Sequence, residues 1–121
     1  MAKFLYIATR GTNDPTGATI PFHLAVNGAS EVGIDCGIAM SGDAAALIRD
    51  PVADPVTGVG LPPLRELLSK VFARGIPLYV CGSCAISRGA SEADLAGKNA
   101  RFISPMELAQ LTADATHVLA F

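Results

Sequence analysis

The chain has 121 residues, of which 50% are apolar and 17% charged, with a mean hydropathy of +0.41. These values exclude a disordered chain and predict a single compact domain over residues 1–121 with enough apolar side chains for a core. The formal net charge is −2. A protein that binds nucleic acid or an acidic membrane is usually more basic, so we expect neither partner.

The apolar content is higher than one small domain needs, and exposed apolar patches on monomers are usually small. We therefore expect a homo-oligomer. The longest uncharged stretch, residues 15–30, is interrupted by Pro21 and His23 and is too short to span a membrane. The first residues run into a predicted strand without the pattern of a signal peptide. Three cysteines do not suit a disulfide framework, so we expect a cytoplasmic protein.

Five short apolar runs predict β-strands, at residues 3–9, 34–41, 76–81, 101–103 and 117–121. Segments with helical spacing lie between them, and parallel strands need such long connections. The order therefore predicts an α/β fold, a three-layer sandwich with a mostly parallel five-stranded sheet. Residues 50–61, rich in proline and glycine, predict an irregular loop that is mobile or contacts another subunit.

Three of the connecting segments carry clear helix signals. Residues 18–32 suit the first crossover helix, with Pro21 in the opening turn, where a missing amide costs no hydrogen bond. Apolar residues at helical spacing predict an amphipathic helix over residues 62–74, and Gly75 suits its left-handed cap. Ser104 begins a capping box with proline in the first helical position, which predicts a helix before the last strand.

Polar loops follow the first three predicted strands, at residues 9–15, 41–43 and 81–84. In open parallel sheets, ligands bind beyond the carboxyl ends of the strands. The three loops should therefore share one edge of the sheet and form a binding site there. The expected ligand-binding residues are Asn13, Asp14, Gly42, Gly82, Ser83 and Arg88.

The third loop contains the most specific motif, Cys81-Gly82-Ser83-Cys84. A thiol that leaves a strand into a glycine turn meets backbone amides that stabilise a thiolate, and Arg88 could add positive charge. Three other interpretations stay open: two small packed thiols, half of a zinc site, or a thioredoxin-like dithiol. The further zinc ligands are scattered, and the chain has no Trp such as thioredoxins carry. We therefore expect no metal and no cofactor.

The remaining cysteine and the two histidines give weaker signals. Cys36 alternates with Ile34 and Ile38 on the second predicted strand, which indicates burial. His23 and His117 have no carboxylate or nucleophile nearby in sequence that would mark a catalytic partner. Cys36 is therefore expected in the core, and both histidines on a helix surface or an interface.

These motifs together resemble the DsrE/DsrF-like family of small sulfur-relay proteins, which includes sulfurtransferase subunits of the Tus type and stand-alone YchN-like members. The resemblance covers nearly the whole chain. Its motifs are Asn13-Asp14-Pro15, Pro21-Phe22-His23-Leu24-Ala25, Ser41-Gly42-Asp43, Val80-Cys81-Gly82-Ser83-Cys84 and Arg88-Gly89.

The resemblance implies that Cys81 is the persulfide site, because its spacing to Arg88-Gly89 is similar to the family pattern. It also implies a homotrimer or hexamer, or a heterohexamer of related subunits, with active cysteines near subunit boundaries. Cys84 departs from the pattern, since the sulfur-carrier subunits lack a second cysteine at this spacing. Internal disulfide release or redox sensing through Cys84 thereby becomes an option.

Two functions follow as hypotheses. In the first, the protein is a sulfurtransferase that carries a persulfide on Cys81 between a sulfur donor protein and an acceptor protein, and Cys84 could resolve the persulfide. In the second, it is a regulatory module. Its cleft between Asn13, Gly42 and Gly82 would bind a small ligand or a partner's tail, and the two cysteines would act as a redox switch.

Overall fold

A computed structural model describes residues 1–121. Its five strands are β1 (Lys3–Ala8), β2 (Asp35–Met40), β3 (Leu78–Cys81), β4 (Ala100–Ile103) and β5 (His117–Ala120). They form one sheet in the order β4-β3-β2-β1-β5, and every neighbouring pair is parallel. The predicted three-layer α/β sandwich with a five-stranded sheet is confirmed, and the sheet is parallel throughout.

The first helix, α1 (Pro15–Leu24), begins three residues earlier than the sequence predicted and continues as a π-helical turn over Ala25–Ala29. It begins early because the Asp14 carboxylate accepts a hydrogen bond from the Gly17 amide at 3.0 Å and caps the helix. Pro21 therefore lies inside α1 and not in its opening turn, which corrects the prediction.

The connection from β2 to β3 holds more helix than predicted. It contains a 3-10 helix at Gly42–Ile48, the short α2 (Asp50–Ala53) and α3 (Leu64–Ala73). The expected irregular loop at residues 50–61 is thus partly wrong, because α2 lies within it and buries Ala53. The amphipathic α3 is confirmed, and Gly75 has the predicted left-handed conformation with φ +66°.

The last two connections contain α4 (Gly82–Ile86), a 3-10 helix at Glu92–Leu95, and α5 (Pro105–Asp114). The predicted capping box is present at α5. The Glu107 amide donates to Ser104 Oγ at 3.2 Å, and the Ser104 amide donates to Glu107 Oε1 at 3.3 Å. The helix boundaries given by the cap residues are therefore correct at this end of the chain.

The two faces of the sheet are covered unequally. The first three crossovers step in one direction across the sheet, so α1, α3 and α4 share a face, and the return from β4 to β5 places α5 on the other. The core of 26 buried residues lies mainly under α1 and α3 and includes Phe22, Ile38 and Leu67. By contrast, α5 has no buried residue, and all four residues of the edge strand β5 are exposed.

Candidate functional site

The loops after β1, β2 and β3 meet at the carboxyl edge of the sheet, as the sequence predicted. The Ser41 amide donates to the carbonyl oxygen of Ala8 at 2.9 Å, which joins the ends of β2 and β1. At Gly11 an added Cβ would lie 2.8 Å from the carbonyl oxygen of Asp43. The first two loops therefore cross so closely that only glycine fits at this position.

Cys81 is the last residue of β3 and directly precedes α4, and its side chain is half-buried. Its sulfur lies 3.6 Å from the Ser83 hydroxyl oxygen. Partial burial by itself raises the pKa of the Cys81 thiol. Hydrogen bonds from the side chains and backbone amides of Cys84 and Ser83 outweigh the burial and hold that pKa below its usual value. Cys81 thus ionises more readily than an ordinary thiol.

Cys84 lies one turn after Cys81, within α4, and its half-buried side chain packs against the core. Its carbonyl oxygen accepts hydrogen bonds from Ser87 Oγ at 3.1 Å and from Arg88 Nη1 at 3.0 Å. The backbone of the second cysteine is therefore held by two hydrogen bonds, and its side chain is one of the groups that lower the pKa of the Cys81 thiol.

Arg88 has a different environment from the expected one. Its Nε and Nη2 atoms donate to one carboxylate oxygen of Asp43 at 3.2 and 3.0 Å. It donates no hydrogen bond to the Cys81 thiol, so the lowered pKa of Cys81 comes from its hydrogen-bonding neighbours. Arg88 instead ties the end of α4 to the loop after β2.

A polar groove of about 310 Å³ lies beside this ion pair. Its lining residues are Thr12, Asn13, Asp43, Ala46 and Arg88. The structure thus brings two of the predicted ligand-binding residues, Asn13 and Arg88, into one groove. Gly42 precedes Asp43 and turns the backbone there with φ +56°, a conformation that favours glycine.

Two other predicted ligand-binding residues, Asp14 and Gly82, do not line this groove. Asp14 is occupied by the α1 cap and by an ion pair with Arg10 Nη1 at 3.0 Å. At Gly82 an added Cβ would make an ordinary contact, 3.5 Å from the Cβ of Phe102. Asp43, which the sequence analysis named only within the loop after the second strand and a family motif, takes part in the groove and is the partner of Arg88.

The third cysteine and the two histidines lie away from this edge. Cys36 is 6% exposed and lies at the amino end of β2, opposite the edge that carries the site. Burial and, to a smaller extent, the Asp35 carboxylate raise the pKa of its thiol. Its predicted place in the core is confirmed. His23 hydrogen-bonds with Asn27 at 3.1 Å, and the His117 ring lies 5.0 Å from that of Phe4.

The structure has no group of three or more His, Cys, Asp or Glu side chains arranged to hold a metal ion. None of its helices has both the length and the apolar character needed to cross a membrane.

An ionisable thiol and a second cysteine at the carboxyl edge of a parallel sheet define a small α/β thiol protein. The chain belongs to the DsrE/DsrF-like family, whose family model matches residues 2–121. It is similar in fold to the crystal structure of the ychN protein from E. coli, with a TM-score of 0.77 and 22% identity over 100% of both chains. No curated protein matches the chain.

The lowered pKa of Cys81 has a measurable consequence. We expect iodoacetamide to alkylate Cys81 at a pH where an ordinary thiol is still protonated, and its rate to fall only as the pH drops through the lowered pKa. Ser83→Ala removes one hydrogen bond and should move this rate profile to higher pH. Ser87→Ala is the matched control, since that hydroxyl bonds to the Cys84 carbonyl.

Peptide mapping at each pH reads the result for every cysteine. Cys36 should stay unlabelled in the folded protein, because its thiol is buried and its pKa is raised. Equal labelling of Cys36 and Cys81, or an unchanged profile in Ser83→Ala, would contradict this description of the site.

Proposed function

We propose that this protein is a sulfur-relay protein that carries sulfur as a persulfide on Cys81 and passes it to a thiol of a partner protein. The observation that carries the proposal is the Cys81 thiol itself, half-exposed at the sheet edge and held in a readily ionised state by Ser83 and Cys84. Membership of the DsrE/DsrF-like family favours the same role.

The transfer consists of two displacements at sulfur. The Cys81 thiolate attacks the outer sulfur of a donor persulfide, a new Cys81 Sγ–S bond forms, and the donor cysteine leaves as a thiolate. An acceptor thiolate then attacks that outer sulfur, and Cys81 leaves as a thiolate. A low pKa favours both steps, because it makes Cys81 an ionised nucleophile first and a good leaving group afterwards.

The experiment is to load the reduced protein with a low-molecular-weight persulfide, remove the donor, and measure the intact mass. Directly after loading we expect a gain of one sulfur atom, and loss of that atom when an acceptor thiol is added at once. The Cys36→Ala variant is the control and should load as the parent does. A protein that neither gains sulfur nor releases hydrosulfide with any of several persulfide donors would refute the proposal.

We also propose that the chain acts as a homo-oligomer, a trimer or hexamer, in the cytoplasm. The support is the thin layer formed by α5 and β5, where Met106 is 78% exposed, Val118 40% and Leu119 37%. Nothing in the chain covers these apolar side chains, and a second copy could bury them. The three unpaired cysteines suit a reducing compartment. Sedimentation at micromolar concentration should give a multiple of the 12.4 kDa chain mass, and a monomer mass would contradict this proposal.

The groove beside Asp43 and Arg88 favours a second candidate function, the binding of a small ligand or of a partner's tail. Its polar lining offers the Thr12 hydroxyl, the Asn13 amide and the Arg88 guanidinium within about 310 Å³. Cys81→Ser separates the two functions, because ligand binding in the groove should survive that substitution and sulfur transfer should not.

A further inference from the structure

Sulfur relay as proposed above uses only Cys81, so it assigns no role to the second cysteine of the motif, Cys84. Cys84 follows Cys81 by three residues across the first turn of α4, a spacing that brings two side chains to the same side of a helix. The side chains of both cysteines are half-buried at this turn, and Cys84 is among the groups that lower the pKa of the Cys81 thiol. The two cysteines thus share the first turn of α4 before any sulfur is loaded.

We propose that Cys84 limits the lifetime of the persulfide on Cys81 by displacing it, so that the protein releases hydrosulfide and retains a Cys81–Cys84 disulfide. This inference rests on the proposed function, because it needs a persulfide on Cys81. It adds a second outcome for the sulfur atom, release as sulfide when no acceptor protein takes it.

The step balances without an outside oxidant. The Cys84 thiol loses its proton to solvent, and the resulting thiolate attacks Cys81 Sγ. A bond forms between the two cysteine sulfurs, the bond from Cys81 Sγ to the outer sulfur breaks, and its electron pair leaves with the outer sulfur as hydrosulfide. The outer sulfur is thereby reduced and the Cys84 sulfur oxidised, while the Cys81 sulfur passes from the persulfide to the disulfide without a change of oxidation state. A dithiol or two low-molecular-weight thiols must then reduce the disulfide before the next cycle.

The backbone around Cys84 is well suited to this step. Arg88 and Ser87 hold the Cys84 carbonyl oxygen, and Asp43 holds Arg88 in turn. The segment that carries both cysteines therefore keeps its shape while only side chains rotate. Residues three apart in a helix have Cα atoms within the range that a disulfide spans.

No other cysteine can take this part. Cys36 is 6% exposed and pairs with Phe4 at the amino end of β1 and β2, whereas Cys81 lies at the carboxyl end of β3. An intramolecular disulfide formed after sulfur loading must therefore join Cys81 and Cys84.

The test compares the parent with Cys84→Ser after both are loaded with the same low-molecular-weight persulfide and freed of it. In the parent we expect hydrosulfide in solution and a protein mass two hydrogen atoms below the reduced form. In Cys84→Ser the added sulfur should stay on the protein about tenfold longer or more, since the neighbouring thiol has gone. Cys36→Ala, which removes the remote thiol, should behave as the parent.

The outcomes separate this inference from the proposed function. If both proteins take up sulfur and keep it equally long, with no disulfide in the parent, the inference is wrong and the relay function stands. If neither protein takes up sulfur from any donor, the proposed function fails first. If the sulfur moves onto Cys84 as a persulfide, mapping of the tryptic peptide 75–88 shows it, and the displacement at Cys81 Sγ is refuted.

Discussion

Replacing Cys81 with serine should lower sulfur uptake about a hundredfold or more, to the background of the donor alone. The serine hydroxyl occupies nearly the same space but does not ionise near neutral pH, so it cannot attack a persulfide unaided. The lowered pKa of the Cys81 thiol is the property that the substitution removes. The measurement is the intact mass of the reduced protein after a fixed time with the donor.

Cys84→Ser and Cys36→Ala are the matched controls, because each removes one thiol and leaves Cys81 in place. Cys36→Ala should take up sulfur at close to the parent rate, and Cys84→Ser should still take it up, since Cys81 is intact. Circular dichroism of all three variants checks that the fold is retained. Uptake by Cys81→Ser at the parent rate would move the carrier role to another thiol.

Replacing Phe22 with alanine should lower the free energy of unfolding by about 3–5 kcal/mol, the usual cost of deleting a large aromatic side chain from a core. The side chain is 0% exposed and belongs to the main core cluster under α1. Urea unfolding measures the change. Val59→Ala is the control, since Val59 is 87% exposed and its loss should change stability by no more than about 0.5 kcal/mol.

A loss of less than about 1 kcal/mol in Phe22→Ala would contradict the packing of α1 on the sheet, because it would mean that the side chain is not enclosed. A loss large enough to unfold the variant would agree with it. In that case Phe22→Leu, which keeps most of the apolar volume, should stay folded and show a smaller, measurable loss in the free energy of unfolding.

The sequence predicted the fold well wherever the signals are local. Apolar runs marked all five strands, and Ser104 and Gly75 marked helix ends through caps that need only nearby residues. The predicted start of α1 was three residues late, because Pro21 was placed in the opening turn. The sequence analysis assigned Asp14 to ligand binding and did not consider it as the residue that caps the helix. In residues 50–61, proline and glycine hid α2, whose four residues include a proline suited to a first turn.

The sequence predicted at which edge of the sheet the candidate site lies, but not which side chains contact one another there. The parallel strand order brings the three loops to one edge, and the two-cysteine motif can be recognised in the sequence alone. The contact between Asp43 and Arg88 spans 45 residues, and no local pattern specifies it. Asp14 shows the converse, since one acidic residue in a polar loop can equally cap a helix or bind a ligand, and only the folded backbone decides.

The network around Arg88 links the groove to the thiol pair. The Arg88 guanidinium group donates hydrogen bonds both to the Asp43 carboxylate, on the groove side, and to the Cys84 carbonyl oxygen, on the α4 side. Arg49 adds a hydrogen bond to the Arg88 carbonyl at 3.2 Å. The segment with both cysteines is therefore held from the loop after β2, and we expect it to keep its geometry in the proposed sulfur exchange.

The most direct test of the central claim locates the transferred sulfur atom. Cys84→Ser protein is loaded with a persulfide donor, alkylated at once, digested with trypsin, and the peptide 75–88 is fragmented by mass spectrometry. We predict that the added sulfur lies between Cys81 Sγ and the alkyl group. Added sulfur on Cys36, or none on this peptide with any donor, would contradict the account.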